Sequence, residues 1–282
     1  MTQDKAARAA TSEPPSRNLL MRVIAALVLA PVAIAIAYAG GFLWILLVTL
    51  AAIGLYVEWL MIVGIARRLR VTVAGVIALA AAGFCFGAGR LDASLVVLAI
   101  GLLAVASISP EQRRWTTGGF CYAAVAEVAS VLLRQDPEEG FVALMFVLLV
   151  VWATDIGGYF AGRSIGGPKL WPRVSPKKTW AGAIGGFVGS LIIAAGFAVL
   201  GLGPVTPLLV LGAVLSVVSQ FGDLFESAVK RRFGVKDSSH LIPGHGGLMD
   251  RLDGFVAAVA VATIFGFLRG GADGVGRGLM VW

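Results

Sequence analysis

Residues 181–223 read AGAIGGFVGSLIIAAGFAVLGLGPVTPLLVLGAVLSVVSQFGD, and no charged side chain occurs before Asp223. The stretch is continuously apolar and is broken only by a turn-forming Gly-Leu-Gly-Pro at 201–204. It predicts two helices, over about 181–202 and 205–223, each long enough to cross a hydrocarbon core. Alternation of apolar and polar residues is missing, and open strand edges cannot face lipid, so strands are excluded from these runs.

Similar runs lie outward of this pair, at about 20–38, 41–63, 71–89, 92–109, 118–133, 139–161 and 254–270. The chain of 282 residues is 58% hydrophobic and only 14% charged. A soluble domain carries nearly twice that charge, and such surplus apolar surface is stable only against lipid. The fold class expected is all-α: a polytopic membrane bundle of about nine transmembrane helices. Residues 1–18, polar with two adjacent prolines, read as a disordered tail. Helices over 19–134 precede a C-terminal set over 139–270 that carries long polar loops at 162–180 and 223–254, and 271–282 form a second tail. Ala37-Tyr38-Ala39 resembles a signal-peptide cleavage site. The preceding run is longer than a signal core and another span follows at once, which favours an uncleaved first helix.

Charge sets the orientation. With nine spans and a cytoplasmic N-terminus, 19 of the 23 Lys and Arg residues fall in inside loops; only Arg90, Arg134, Arg269 and Arg277 fall outside. Deleting the short fifth span, which holds Glu127, would export the last two basic clusters, so nine spans with the C-terminus outside satisfy the positive-inside rule. The net charge of +7 sits in loops between apolar runs. That placement points to membrane topology and to anionic head groups or phosphates, not to nucleic acid. Cys85 and Cys121 lie in apolar runs without zinc-site or disulfide spacing. Gly182, Gly185, Gly186 and Gly189 recur at helical spacing and suit close helix contact. The glycines before Lys169 lack the Gly-Lys-Ser/Thr ending of a phosphate loop.

Two loops carry mixed functional groups. In GDLFESAVKR (222–231), a continued helix puts Asp223, Ser227 and Lys230 on one face. That face reads either as a metal-plus-phosphate surface or as a solvated helix end with an intrahelical ion pair. In PGHGGLMDRLDG (243–254), Asp250 and Asp253 share one face at a helix N-terminus, where carboxylates cap the helix or bind a cation. With Asp223 they make a hard-oxygen set of the kind Mg²⁺ uses with phosphates. The glycine-rich turn offers N–H groups to an anion, and Arg251 suits bidentate phosphate contact. SPKKT (175–179) supplies Ser175 and Thr179 as donors or caps, and Lys177 and Lys178 as phosphate-seeking charges or as a basic flank. Asp155, with Tyr159 after it, is an ionisable group inside a span, as are Glu58 and Glu127. Each is a functional candidate or a helix-packing partner.

The segment SAVKRRFGVKDSSHLIPGHGGLMDRLD (227–253), with Asp155/Tyr159, SPKKT and QFGDLFES (220–227), resembles the phosphatidate cytidylyltransferases, or CDP-diacylglycerol synthases. The specific motifs cover roughly the C-terminal half; the N-terminal half matches only as a run of spans. The resemblance implies a nucleotidyltransferase that converts CTP and phosphatidic acid to CDP-diacylglycerol and pyrophosphate. It implies a multi-pass protein of the cell (inner) membrane with its site on the cytoplasmic side. Implied catalytic residues are Asp223, Ser227, Lys230, Asp250 and Asp253, with Asp223, Asp250 and Asp253 as ligands of Mg²⁺. Implied substrate-binding residues are Asp155, Ser175, Lys177, Lys178, Thr179, Arg231, Lys236, Asp237, His245 and Arg251. A second, monovalent cation such as K⁺ and a homodimer follow from the resemblance alone. One departure stands out: Ala181 occupies the place of a usual glutamate after SPKKT, so the role of that acid is either absent or filled by another residue such as Glu226. Two alternatives lack support. The Asp-Gly-x-x-Ala-Arg pattern of CDP-alcohol phosphotransferases is missing, and no inverted repeats of a transporter are visible.

Overall fold

The computed structural model describes residues 29–239 and 246–282. The tail at 1–18, the start of the first apolar run and His245 lie outside the described residues. Among the described residues, eight helices are long and apolar enough to cross a membrane: α2 (Gly41–Ile62), α3 (Leu69–Gly87), α4 (Leu91–Ile108), α5 (Arg113–Gln135), α6 (Gly140–Ser164), α7 (Trp180–Val199), α8 (Val205–Arg232) and α9 (Met249–Gly270). A shorter apolar helix, α1 (Leu29–Ala39), precedes them, and α10 (Val275–Met280) follows after a 3₁₀ turn at Ala272–Gly274. The protein is an all-α, multi-pass membrane protein, and the short fifth apolar run lies within a full helix of 23 residues. Large apolar side chains such as Phe84 (78% exposed), Ile192 (66%) and Leu268 (77%) point outward, a surface that only lipid tails accommodate.

The polar 162–180 loop differs from expectation. It holds a two-stranded antiparallel hairpin, β1 (Lys169–Trp171) and β2 (Ser175–Thr179), with Lys169 opposite Thr179. It follows the end of α6 in a polar segment outside the apolar helices, so the bar on strands facing lipid does not apply.

The core has two parts. One gathers Phe146 and Val150 of α6, Leu208 and Leu215 of α8, and Val259 and Ala262 of α9. The other packs Leu55 and Tyr56 of α2 against Leu79 of α3, Val105 of α4 and Phe120 of α5. Lipid tails are as apolar as leucine, so helix association here rests on close packing and interhelical hydrogen bonds. The glycine stripe of α7 meets α6 backbone to backbone. A Cβ on Gly186 would lie 2.5 Å from the Thr154 carbonyl oxygen, and one on Gly189 2.7 Å from that of Ala153. Hydrogen bonds join other pairs, including Trp44 Nε1 to the Ser130 carbonyl (3.0 Å) and Thr154 Oγ1 to Ser216 Oγ (2.9 Å).

Helix α8 runs without a break from the apolar stretch into the charged one, through Asp223 and Lys230, and ends on Gly234. That residue has φ 68°, and the N–H of Val235 donates to the Lys230 carbonyl while that of Gly234 donates to Arg231. Only glycine adopts this left-handed C-terminal turn cheaply. It directs the chain back across the end of the bundle toward α9.

Candidate active site

A cavity of about 510 Å³ opens where α6, the hairpin, α7 and α8 converge. Its polar lining comes from Asp155, Tyr159 and Arg163 of α6, Lys177, Lys178 and Thr179 of β2, and Gln220 and Asp223 of α8. The close approach of α6 and α7 at their glycines brings Asp155 opposite the hairpin lysines. An apolar groove of about 430 Å³ adjoins it, formed by Trp171, Trp180, Ile184, Phe187 and Phe221 and sharing Leu170, Ala183 and Gln220 with the cavity.

Two lysines organise the charges. Lys178 Nζ pairs with Asp223 Oδ2, both side chains about one-third exposed. Lys230 Nζ bridges Glu226 (2.8 Å) and Asp250 (2.5 Å), with little exposure of any of the three. The expected stripe on α8 is therefore present but divided. Ser227 Oγ donates to Asp223 Oδ1 at 3.4 Å, whereas Lys230 turns to Glu226, one turn back, and to α9. Asp250 Oδ2 also accepts from Ser238 N (3.1 Å), Ser238 Oγ (3.0 Å) and Gly247 N (3.0 Å).

Asp253 accepts from the Gly254 N–H (2.7 Å) and lies within electrostatic reach of Asp155, Asp223 and Glu226. Helices α8 and α9 touch at this point, where a Cβ on Gly222 would meet the Asp253 carbonyl at 2.6 Å. Arg251, exposed on α9, acts electrostatically on Asp155. Thr179 serves as a cap: its Oγ1 accepts from Gly182 N at 3.1 Å and starts α7. Ser175 begins β2 and, like Ser227, Lys230, Asp250, Arg251 and Asp253, is outside the cavity lining, as are the exposed Arg231, Lys236 and Asp237. Glu127 accepts from Thr49 Oγ1 (2.8 Å) and so ties α5 to α2.

Among the described residues, no three His, Cys, Asp or Glu side chains stand as a ready-made metal-ligand set. Asp223 and Asp250 are instead turned onto lysines. The donor chemistry nevertheless fits a hard cation. Carboxylates from three helices gather at one end of the bundle, and Glu226 Oε1 is buried without a hydrogen-bond partner, an arrangement that a nearby cation relieves. Arg163 and Gln220 also line the cavity, although in the sequence one is a basic residue at the end of an apolar run and the other only part of QFGDLFES.

Fold and cavity together define a polytopic membrane protein with a basic, carboxylate-bearing pocket suited to phosphorylated ligands. Residues 20–268 match the model of the cytidylyltransferase family. The phosphatidate cytidylyltransferase of Brucella suis is 40% identical over 261 residues, covering 88% of this chain and 93% of that protein. Those of Haemophilus influenzae (45% over 139 residues; 47% of this chain, 48% of that protein) and Bacillus subtilis (41% over 140 residues; 49% and 50%) are similar over a shorter part. The chain belongs to the cytidylyltransferase family, and is a nucleotidyltransferase enzyme.

Proposed function

We propose that the protein transfers CMP from CTP to phosphatidic acid at the cytoplasmic surface of the cell membrane, releasing pyrophosphate and forming CDP-diacylglycerol. The observation that carries this is the cavity, in which Lys177, Lys178 and Arg163 face the carboxylates of Asp155 and Asp223 beside an apolar groove. The polar part accepts phosphates and the groove accepts acyl chains, so one site joins a water-soluble nucleotide to a lipid.

A phosphatidate oxygen attacks the α-phosphorus of CTP, and the bond between that phosphorus and the bridging α–β oxygen breaks. The nucleophile is already an anion, so no strong general base is needed; the barrier lies in bringing two polyanions together. Lys177 and Lys178 neutralise phosphate oxygens, and Lys230 does so from the α8–α9 side. In the free protein Lys178 and Lys230 rest on Asp223 and Asp250. Phosphate binding therefore exchanges one ion pair for another and avoids stripping a lysine of all partners. Asp223, Asp250 and Asp253 would hold Mg²⁺, which when bound supplies positive charge to the triphosphate. Arg251, in the first turn of α9, adds a bidentate donor. Ser227 keeps Asp223 oriented.

The test is incorporation of radiolabelled CTP into lipid by purified protein supplied with phosphatidate and Mg²⁺. Asp223→Asn and Asp250→Asn should each lower turnover by about a hundredfold or more, since an amide cannot replace a carboxylate's charge at such a site. Near-normal turnover of either variant at saturating Mg²⁺ sinks the metal assignment. No labelled lipid from the wild type sinks the function.

A further inference from the structure

We infer that Glu58, on α2 and outside the cavity, is a positioning residue that sets the orientation of Asp250. The inference rests on the nucleotidyl-transfer function proposed above. Helix α9 starts at Met249 without a side-chain cap from its N-cap residue, Leu248. The missing acceptor comes from far upstream. Glu58 Oε1 accepts from Leu248 N (2.7 Å) and Ser239 Oγ (2.6 Å). Its Oε2 accepts from Met249 N (2.7 Å) and Ser238 Oγ (2.9 Å). One fully buried carboxylate thus grips both ends of the connection between α8 and α9.

The same two ends hold Asp250. Ser238 N and Gly247 N donate to its Oδ2, and the single proton of the Ser238 hydroxyl lies between Asp250 Oδ2 and Glu58 Oε2. With Oδ2 fixed in this way, Oδ1 is presented to Lys230. The fit is tight: a Cβ on Gly247 would lie 1.8 Å from Ser238 Oγ and 2.6 Å from Glu58 Oε2.

The chemistry requires a carboxylate. Each oxygen takes two donors, and burying the charge is tolerable because charge-assisted hydrogen bonds and the positive end of α9 offset its desolvation. A glutamine would turn its NH₂ toward a backbone N–H on one side and lose that bond, since a serine hydroxyl can reverse to accept but a backbone N–H cannot. Helix packing alone asks for less. The equally buried Glu127 takes one hydroxyl, from Thr49, and its second oxygen has no hydrogen-bond partner.

The experiment compares Glu58→Gln, Glu58→Asp and Glu127→Gln in purified full-length protein. It reads steady-state kinetics in CTP and hydrogen exchange at the Leu248 and Met249 amides. Glu58→Gln should raise KM for CTP about fivefold and lower kcat/KM about fiftyfold, whereas a smaller folded fraction lowers kcat and leaves KM alone. Glu58→Asp, which keeps the charge, should recover about tenfold of the loss, and Glu127→Gln should stay within about twofold of wild type. Exchange at the two amides should quicken about tenfold in Glu58→Gln. Unchanged KM together with unchanged exchange overturns the inference, as does a Glu127→Gln variant equally impaired. If wild-type protein makes no lipid product, the proposed function fails, and the exchange measurement alone decides for or against the Glu58 clamp.

Discussion

Replacing Lys230 by methionine separates structure from chemistry. Its ammonium stands between Glu226 and Asp250, and the three side chains are 12%, 1% and 15% exposed, so solvent screens the cluster little. Removing one partner of a buried pair leaves uncompensated charge, at a cost of about 3–5 kcal/mol. A lost charge-assisted contact to phosphate removes about 1.5–3 kcal/mol from the transition state, or roughly ten- to a hundredfold in kcat/KM. Lys230→Met should therefore lose both stability and turnover. In the double variant Lys230→Met/Glu226→Gln one stranded carboxylate is gone, which should return most of the stability and none of the turnover. The assays are denaturation in detergent and CTP incorporation into lipid on the same preparations. Recovery of turnover along with stability in the double variant would refute the phosphate role and make Lys230 a purely structural ion.

Three further outcomes are expected. Impermeant thiol reagents applied to intact cells should label a cysteine placed at Trp282 and not one at Lys177 or Lys230; labelling of position 177 from outside reverses the topology. Ala181→Glu should change turnover less than tenfold, because residue 181 opens α7, where an acid contributes about 0.3–1 kcal/mol; a hundredfold gain would reveal a specific role for that acid. At the opposite connection, between α5 and α6, burial disfavours ionised Asp136. Hydrogen bonds from the backbone of Arg277, Glu139 and Glu138 and from the Arg277 side chain outweigh this and hold its carboxyl below the usual range. A depressed carboxyl stabilises the fold above its unfolded value of about 3.9 and loses that contribution as pH falls through the folded one. The stability gap between wild type and Asp136→Asn should therefore narrow on acidification below about pH 4; a gap independent of pH contradicts the assignment.

The apolar runs specify the helices because crossing lipid is a local requirement: each segment must satisfy its own backbone and present apolar side chains. That is why the spans are legible from residues 181–223 outward, and why the sequence alone puts Asp223 and Lys230 on one helix. The short hairpin is not legible in the sequence, because its residues are basic and irregular, with no alternating pattern to mark strands. Glycine spacing on α7 announced close packing, but not that α6 was the partner.

Partnership was decided only in three dimensions. Lys178 meets Asp223 and Lys230 meets Asp250 through the crossing of separate elements. Of two buried glutamates that look alike in sequence, Glu127 joins two helices while Glu58 clamps the start of α9, where Asp250 stands. Sequence neighbours encode the cost of placing a charge in a span. The donors that offset it come from residues far away in the chain, and only the packed bundle brings them within hydrogen-bond reach.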